Sequence, residues 1–159
     1  MKTLRKRLER FRRDQRGVAA IELSIALPIL TVSALCAGDL GRFALQKTWV
    51  TYAASAGAEY AVAHSGSGFN ASKVAAAAKA AAPGDISVSP DPSVSYGCAT
   101  ATGVTASTQG TICPASTSTG GVAGQYVSVT TTMPFTAMFN AAGISYPSTL
   151  TATVMVRIQ

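Results

Sequence analysis

The segment Arg16–Gly38, RGVAAIELSIALPILTVSALCAG, decides how the rest of the chain is arranged. From Val18 to Gly38 it holds 21 residues, and Glu22 is the one side chain among them with a full charge at neutral pH. An α-helix needs roughly 20 apolar residues to cross the hydrocarbon core of a bilayer. The core helix of a soluble protein would instead show a polar face at helical spacing. Residues 18–38 are therefore predicted to form a membrane-embedded helix.

Basic residues are concentrated ahead of this helix. Eight of the 13 Lys and Arg residues lie within the first 16 positions with two acidic residues, while the rest of the chain carries five of each sign. The net charge of +6 thus belongs to a leader, residues 1–17. Positive residues directly before a membrane span hold that end in the cytoplasm. This distribution argues against a nucleic-acid-binding surface, and we expect no nucleic-acid partner.

Glu22 is costly inside an apolar span, by about 3 kcal/mol on insertion scales, and needs a partner or a wet location. Val18 lies four residues earlier and therefore on the same helix face. Cleavage between Gly17 and Val18 would create an α-amino group there, largely protonated at neutral pH, and so give Glu22 a counter-charge. Arg16 of the uncut chain is an alternative partner, so the pairing alone does not establish cleavage.

The order of these residues resembles a known processing site. A basic leader, Gly17, and Val18-Ala-Ala-Ile-Glu22 ahead of an apolar run resemble a type IV prepilin site, with Glu at the fifth mature position. More narrowly, RGVAAIE, followed by ALPIL and GDLGRF, is similar to the TadE-like pseudopilins of tight-adherence (Flp-type) pili. Leu23 departs from this pattern, since the family usually carries an aromatic residue at that position.

The resemblance implies a minor pseudopilin or assembly factor of a tight-adherence type IV pilus, cut after Gly17 by a prepilin peptidase. Glu22 would then serve peptidase recognition and assembly by pairing with the mature N-terminus at Val18. The implied partners are the peptidase, other pilins or pseudopilins, the pilus assembly platform and membrane lipid. The implied location is the bacterial inner membrane, crossed once, with the leader in the cytoplasm and the head in the periplasm or outside. Incorporation into the pilus stays open.

Other interpretations remain beside this one. A permanently anchored envelope protein would use its head to bind a partner and never join a filament. A type II secretion pseudopilin shares the Gly/Glu site. A secretory cut near residues 34–37 is a further alternative, but lipidation at Cys36 needs a small residue where Leu35 stands.

The helix is predicted to continue beyond the span, from Val18 to His64. No proline interrupts residues 39–65, and Gly66 and Gly68 supply a stop. Pro28 removes one backbone hydrogen bond, so a kink or local melting is predicted there, either as a flexible point for filament packing or as an ordinary transmembrane kink. An apolar stripe in the upper part favours core packing: Phe43, Trp49, Tyr52, Ala56 and Tyr60.

Residues 65–159 are predicted to form an α+β head. A second, shorter helix is expected from residue 71 or 72 to Ala82, capped by Asn70 or Ser72. Alternating residues predict a short strand at 86–88 and longer strands at 126–132 and 149–158. The predicted fold is pilin-like: a long, partly transmembrane N-terminal helix packed on a small antiparallel sheet, with a short second helix.

A Ser/Thr-rich segment at about residues 99–124 is predicted to be a long surface loop with little core. Cys98 and Cys113 bracket its first half, and in a periplasmic compartment we expect them to form a disulfide. Two separate buried thiols are the alternative. Cys36 lies in the apolar run and is expected to be a packing residue.

Catalytic chemistry has little support in the sequence. His64 is the one histidine, and no phosphate-binding glycine loop is present. Without a second histidine or paired carboxylates outside the membrane, no metal centre is expected. His64 at a helix C-terminus is interpreted as a favourable end charge or a surface residue, and no Ser-His-Asp arrangement is expected. We therefore expect no enzyme activity, no metal, no cofactor and no small-molecule substrate.

Overall fold

One long helix dominates the N-terminal part of the chain. The structure, a computed structural model, describes residues 16–114, 121–140 and 143–159. Helix α1 spans Arg16–Ala63 without interruption, with Pro28 in its interior. The predicted helix is thereby confirmed. Of the two predicted alternatives at Pro28, local melting is not seen, because the helical backbone continues on both sides of the proline, and the kink stays a prediction.

A short second helix, α2, spans Ala71–Ala80. Of the two predicted caps, Asn70 is the one used, since its side chain accepts a hydrogen bond of 3.0 Å from the backbone N–H of Lys73. Between the two helices, His64 ends α1 by donating from its backbone N–H to the Tyr60 carbonyl, and a single 3₁₀ turn follows at Ser65–Ser67.

Five antiparallel strands form one sheet: β1 (Ser87–Val88), β2 (Ser93–Thr100), β3 (Gly103–Ser107), β4 (Gly124–Pro134) and β5 (Thr149–Arg157). Strand β4 is central, because it pairs with β1, β2 and β5, while β3 pairs with β2 alone. In the register of these pairs, Val127 lies opposite both Val94 of β2 and Val156 of β5. The α+β fold class predicted from the sequence is confirmed.

The hairpin of β2 and β3 corrects the sequence prediction. Residues 99–107, expected to begin a long surface loop, are instead strand for most of their length, with Thr100 paired to Gly103 across a two-residue turn. Gly97 makes this pairing possible, since a Cβ there would collide with Val104 Cγ1 and lie 2.8 Å from the Thr105 carbonyl oxygen. Residues 115–120 of the predicted loop lie outside the described residues.

The upper part of α1 packs on the sheet through small residues. Ala58 and Ala61 of α1 join Val74 and Ala78 of α2 and Val127 and Val129 of β4 in one buried cluster. Gly57 lies at the closest approach, because a Cβ there would stand 3.0 Å from both Ala78 Cβ and Val129 Cγ1. The predicted aromatic stripe packs in part: Tyr60 lies against this cluster, and the Phe43 ring lies 5.4 Å from that of buried Phe135. Tyr52 departs from the prediction, since it is 61% exposed.

The chain divides into two compact units. The first combines α1 up to Gly41 with a segment at residues 137–145, and the second contains Arg42–Thr136 with Tyr146–Gln159. All strands, α2 and the helix–sheet core belong to the second unit. The predicted processing site and the predicted membrane segment belong to the first.

Candidate functional site

The predicted cleavage site lies in the first turns of α1. Gly17 and Val18 are both helical, and both are exposed. A Cβ added at Gly17 would have nothing within 4 Å. Glycine costs about 1 kcal/mol relative to alanine inside a helix. Since no neighbouring group in the described part of the chain requires glycine here, packing gives no reason for the residue at this position.

Glu22 lies one turn after Val18 on the same helix and is exposed. Its carboxylate makes no hydrogen bond or ion pair with a side chain or backbone group of residues 17–114, 121–140 or 143–159. The flanking side chains are large and apolar, with Ile21 63% and Leu23 60% exposed. A carboxylate in such surroundings is costly once the helix enters lipid, unless a cation or water reaches it.

The surface around Glu22 is apolar on every side of the helix. None of the apolar window is buried within the protein, and α1 is the one helix in the described part of the chain that is long and apolar enough to cross a membrane. A helix that is hydrophobic all round needs either a protein core or a bilayer. The large side chains left exposed are Val18, Ile21, Leu23, Ile25, Leu27, Ile29, Leu30 and Val32.

The polar hydroxyls of the span are satisfied within the helix. Thr31 and Ser33 each donate a 2.8 Å hydrogen bond to the carbonyl four residues earlier, and Ser24 donates to the Ile21 carbonyl at 2.7 Å. Hydroxyls bonded in this way present no free donor to hydrocarbon. This part of α1 therefore has the composition and the internal hydrogen bonding of a membrane-spanning segment, consistent with a single-pass membrane protein.

Asp39, immediately after the predicted span, is a site that sequence reasoning missed. Its side chain is 1% exposed. The carboxylate accepts hydrogen bonds from three successive backbone N–H groups: Met138 at 2.8 Å, Phe139 at 3.1 Å and Asn140 at 2.9 Å. Consecutive N–H groups aimed at one anion form a nest, and the left-handed backbone of Asn140, with φ of 44°, fits that geometry. An acid next to an apolar span was the available signal, but no sequence pattern pointed to its donors.

A disulfide joins Cys98 of β2 to Cys113, with the two Cα atoms 5.6 Å apart. Both cysteines are buried. It closes a loop 15 residues long in sequence, for which the chain-entropy description gives a stabilisation of about 3 kcal/mol. The bond therefore fastens the β2–β3 hairpin to the segment that follows it.

The single histidine has a structural use at the end of α1. The His64 ring stacks on Tyr60 with the ring centroids 4.0 Å apart, and its Nδ1 lies 3.0 Å from the Tyr60 carbonyl oxygen. Within the described ranges, no three His, Cys, Asp or Glu residues are grouped so that they could hold a metal ion.

Comparison with known proteins gives one match. The family model of TadE-like proteins matches residues 17–59, which are most of α1 and none of the sheet. Neither a search of curated proteins nor a search of solved structures found a match. The matched region begins at the glycine of the predicted cleavage site and includes Glu22 and Asp39. Over this region, 43 of the 159 residues, the chain is similar to the TadE-like family, as its sequence motifs indicated.

Proposed function

We propose that this chain is a minor pseudopilin or assembly factor of a tight-adherence pilus, processed after Gly17 by a prepilin peptidase. It is a structural subunit and not an enzyme. Before processing it resides in the inner membrane, with its basic leader in the cytoplasm and its head on the opposite side. Its partners are the peptidase, other pilins or pseudopilins and the assembly platform.

The observation that carries the proposal is the pair Gly17 and Glu22 at the start of the family-matched helix. Gly17 has no packing neighbour that requires it, so its small size suits recognition by an enzyme outside the fold. Glu22 is exposed among apolar residues and has no partner among residues 17–114, 121–140 and 143–159. The packing of the helix therefore gives no reason for either residue, whereas cleavage by a peptidase and the charge pairing that follows it would account for both.

The role of Glu22 follows from charge. Removing the leader places a cationic α-amino group at Val18, one helical turn before the carboxylate. An ion pair between them, within one helix or between neighbouring subunits, lowers the cost of holding an acid in an apolar environment. Between subunits, the pair would set the register in which the next helix packs.

Processing is tested by comparing Gly17→Leu with Gly41→Leu in cells that produce the pilus. Both glycines lie in α1, and a Cβ at either would have nothing within 4 Å, so both variants are expected to fold. We expect Gly17→Leu to retain the leader, seen as slower gel migration, and to lose pilus assembly. Gly41→Leu should be processed normally. A Gly17→Leu chain that functions normally with its leader attached would instead support the permanently anchored interaction protein.

The role of Glu22 is tested by Glu22→Gln, which removes the charge with little change in shape. Glu59→Gln is the matched control, since Glu59 is also exposed on α1. We expect Glu22→Gln to lose capture of the partner pseudopilin, measured by co-purification from membranes, while Glu59→Gln retains it. Normal capture and normal piliation in Glu22→Gln would contradict the role assigned to this carboxylate.

A further inference from the structure

The segment held by Asp39 exposes apolar side chains at the end of the predicted span. We call residues 137–140 and 143–145 the boundary loop. Within it, Met138 is 62%, Phe139 50% and Ile144 43% exposed. No residue from 137 to 145 carries a charge. Large exposed apolar side chains close together on a short, uncharged segment indicate a contact surface.

The position of the boundary loop relative to the span is fixed by hydrogen bonds. Asp39 follows directly after the 21 apolar residues predicted to cross the bilayer, and its buried carboxylate binds the backbone of Met138, Phe139 and Asn140. The Phe139 ring also lies beside Gly38, since a Cβ at that glycine would be 3.9 Å from Phe139 Cε2. The loop thus lies beside the last turn of the span.

The geometry points to the bilayer interface as the occupant of this surface. A helix that crosses the hydrocarbon with residues 18–38 places Asp39 at the boundary with the headgroups. The side chains of Met138 and Phe139, tethered to that residue, then meet the acyl-chain boundary, where partly inserted apolar and aromatic side chains are favourable. The boundary loop therefore gives the chain a second contact with the membrane.

Asp39 acts in this arrangement as a positioning residue. Three backbone N–H groups without acceptors would be unfavourable near hydrocarbon, because no water replaces the lost hydrogen bonds there. The Asp39 carboxylate accepts hydrogen bonds from these N–H groups, so the loop exposes apolar side chains to the membrane and no unpaired N–H group from residues 138–140. This inference rests on the membrane-embedded helix of the proposed function, and it is independent of cleavage and of pilus assembly.

The test uses single-tryptophan variants of the full-length chain in phospholipid vesicles, with Trp49→Phe as the common background. Met138→Trp reports the boundary loop, and Ile144→Trp is a second reporter of it. Leu30→Trp reports the span, and Ile112→Trp is the control, since Ile112 is 80% exposed in the other unit. Emission is compared in plain lipid, in lipid brominated near the headgroup and in lipid brominated near the chain ends.

We expect Met138→Trp and Ile144→Trp to lose emission in lipid brominated near the headgroup. Leu30→Trp should lose emission to bromines deeper in the chains, and Ile112→Trp should lose none. Adding Asp39→Ala to Met138→Trp should weaken the quenching, because the loop loses its tether. Unchanged quenching when Asp39→Ala is added would show that the loop binds lipid without this tether, and it would overturn the role of Asp39.

Three results would overturn the contact with lipid. Quenched Leu30→Trp with unquenched Met138→Trp and Ile144→Trp would reject the boundary loop while leaving the span intact. Unquenched Leu30→Trp would reject the membrane-embedded helix and the loop with it. Loop reporters that are protected from aqueous iodide but untouched by brominated lipid would show that protein, such as a second copy of this chain, covers the surface.

Discussion

The lower half of α1, Gly17–Gly38, and its upper half, Arg42–Ala63, have opposite surroundings. Large side chains of the lower half point outward, with Ile25 64% and Ile29 63% exposed. The upper half buries a valine and alanines completely, and Val50, Ala53 and Ala54 are each 0% exposed. One continuous helix thus has an uncovered apolar surface at one end and forms part of a folded core at the other.

The difference teaches that both charge and side-chain size distinguish the two halves. The upper half carries Arg42, Lys47 and Glu59 and packs on the sheet through Gly57 and Ala58, where close packing tolerates no added volume. The lower half has Glu22 as its one charged side chain and leaves large apolar side chains exposed. Gly57 of this helix is therefore required by packing, whereas Gly17 is not.

The largest effect on stability is expected from Gly57→Val. A Cβ at this position already lies 3.0 Å from Ala78 Cβ and Val129 Cγ1, and valine adds two further methyl groups. We expect the free energy of unfolding to fall by about 2 kcal/mol, as for other overpacked core sites. The measurement is a urea titration of the full-length chain in detergent micelles, followed by Trp49 fluorescence. Gly41→Val is the matched control, because it has open space, and an equal loss there would break the comparison.

A smaller effect is expected from Thr131→Val on the sheet side of the same contact. Thr131 is 0% exposed, and its hydroxyl donates a 2.8 Å hydrogen bond to the Val50 carbonyl of α1. Valine has nearly the same shape, so the change isolates this bond, worth about 1 kcal/mol. Thr130→Val serves as the control, since the Thr130 hydroxyl pairs with Thr153 at an exposed site. Equal stability of Thr131→Val and the natural chain would show that this bond does not hold the helix on the sheet.

The smallest effect is expected from Leu27→Ala in the lower half. Leu27 is 57% exposed, and truncating an exposed side chain changes the free energy of unfolding by less than about 0.5 kcal/mol. Val50→Ala, in the buried half, should lower it clearly in the same titration. If the two variants lost the same stability, the lower half of α1 would have to pack against protein within the single chain, and the contrast between the halves would disappear.

The sequence predicted the helices and strands that have a clear hydrophobic period or clear capping and breaking residues. The long helix followed from its apolar run and the absence of later proline, the second helix from Asn70 and the following alanines, and β4 and β5 from their alternation. Strands β2 and β3 were missed because Gly97 and Gly103 resemble loop residues. In the structure, one allows a close strand approach and the other, with φ of 153°, ends a two-residue turn.

Relations within the site can be predicted only where the residues are local in sequence. Helix geometry places Val18 and Glu22 on one face, whereas cleavage after Gly17 is what the resemblance implies and stays a prediction. Asp39 accepts from backbone groups about 100 positions later, and no periodicity encodes such a contact. The helical spacing also predicted packing for Tyr60 and Phe43, but it did not predict that the residues closest to the sheet are small, as Gly57 and Ala58 are.

Intact-mass spectrometry tests the central claim most directly. The chain would be purified from the membranes of its native cells while the pilus genes are expressed. The account predicts a polypeptide that begins at Val18, because the peptidase has removed the leader and left an α-amino group one turn before Glu22. A mature polypeptide that still begins at Met1 in cells with an active peptidase would contradict it.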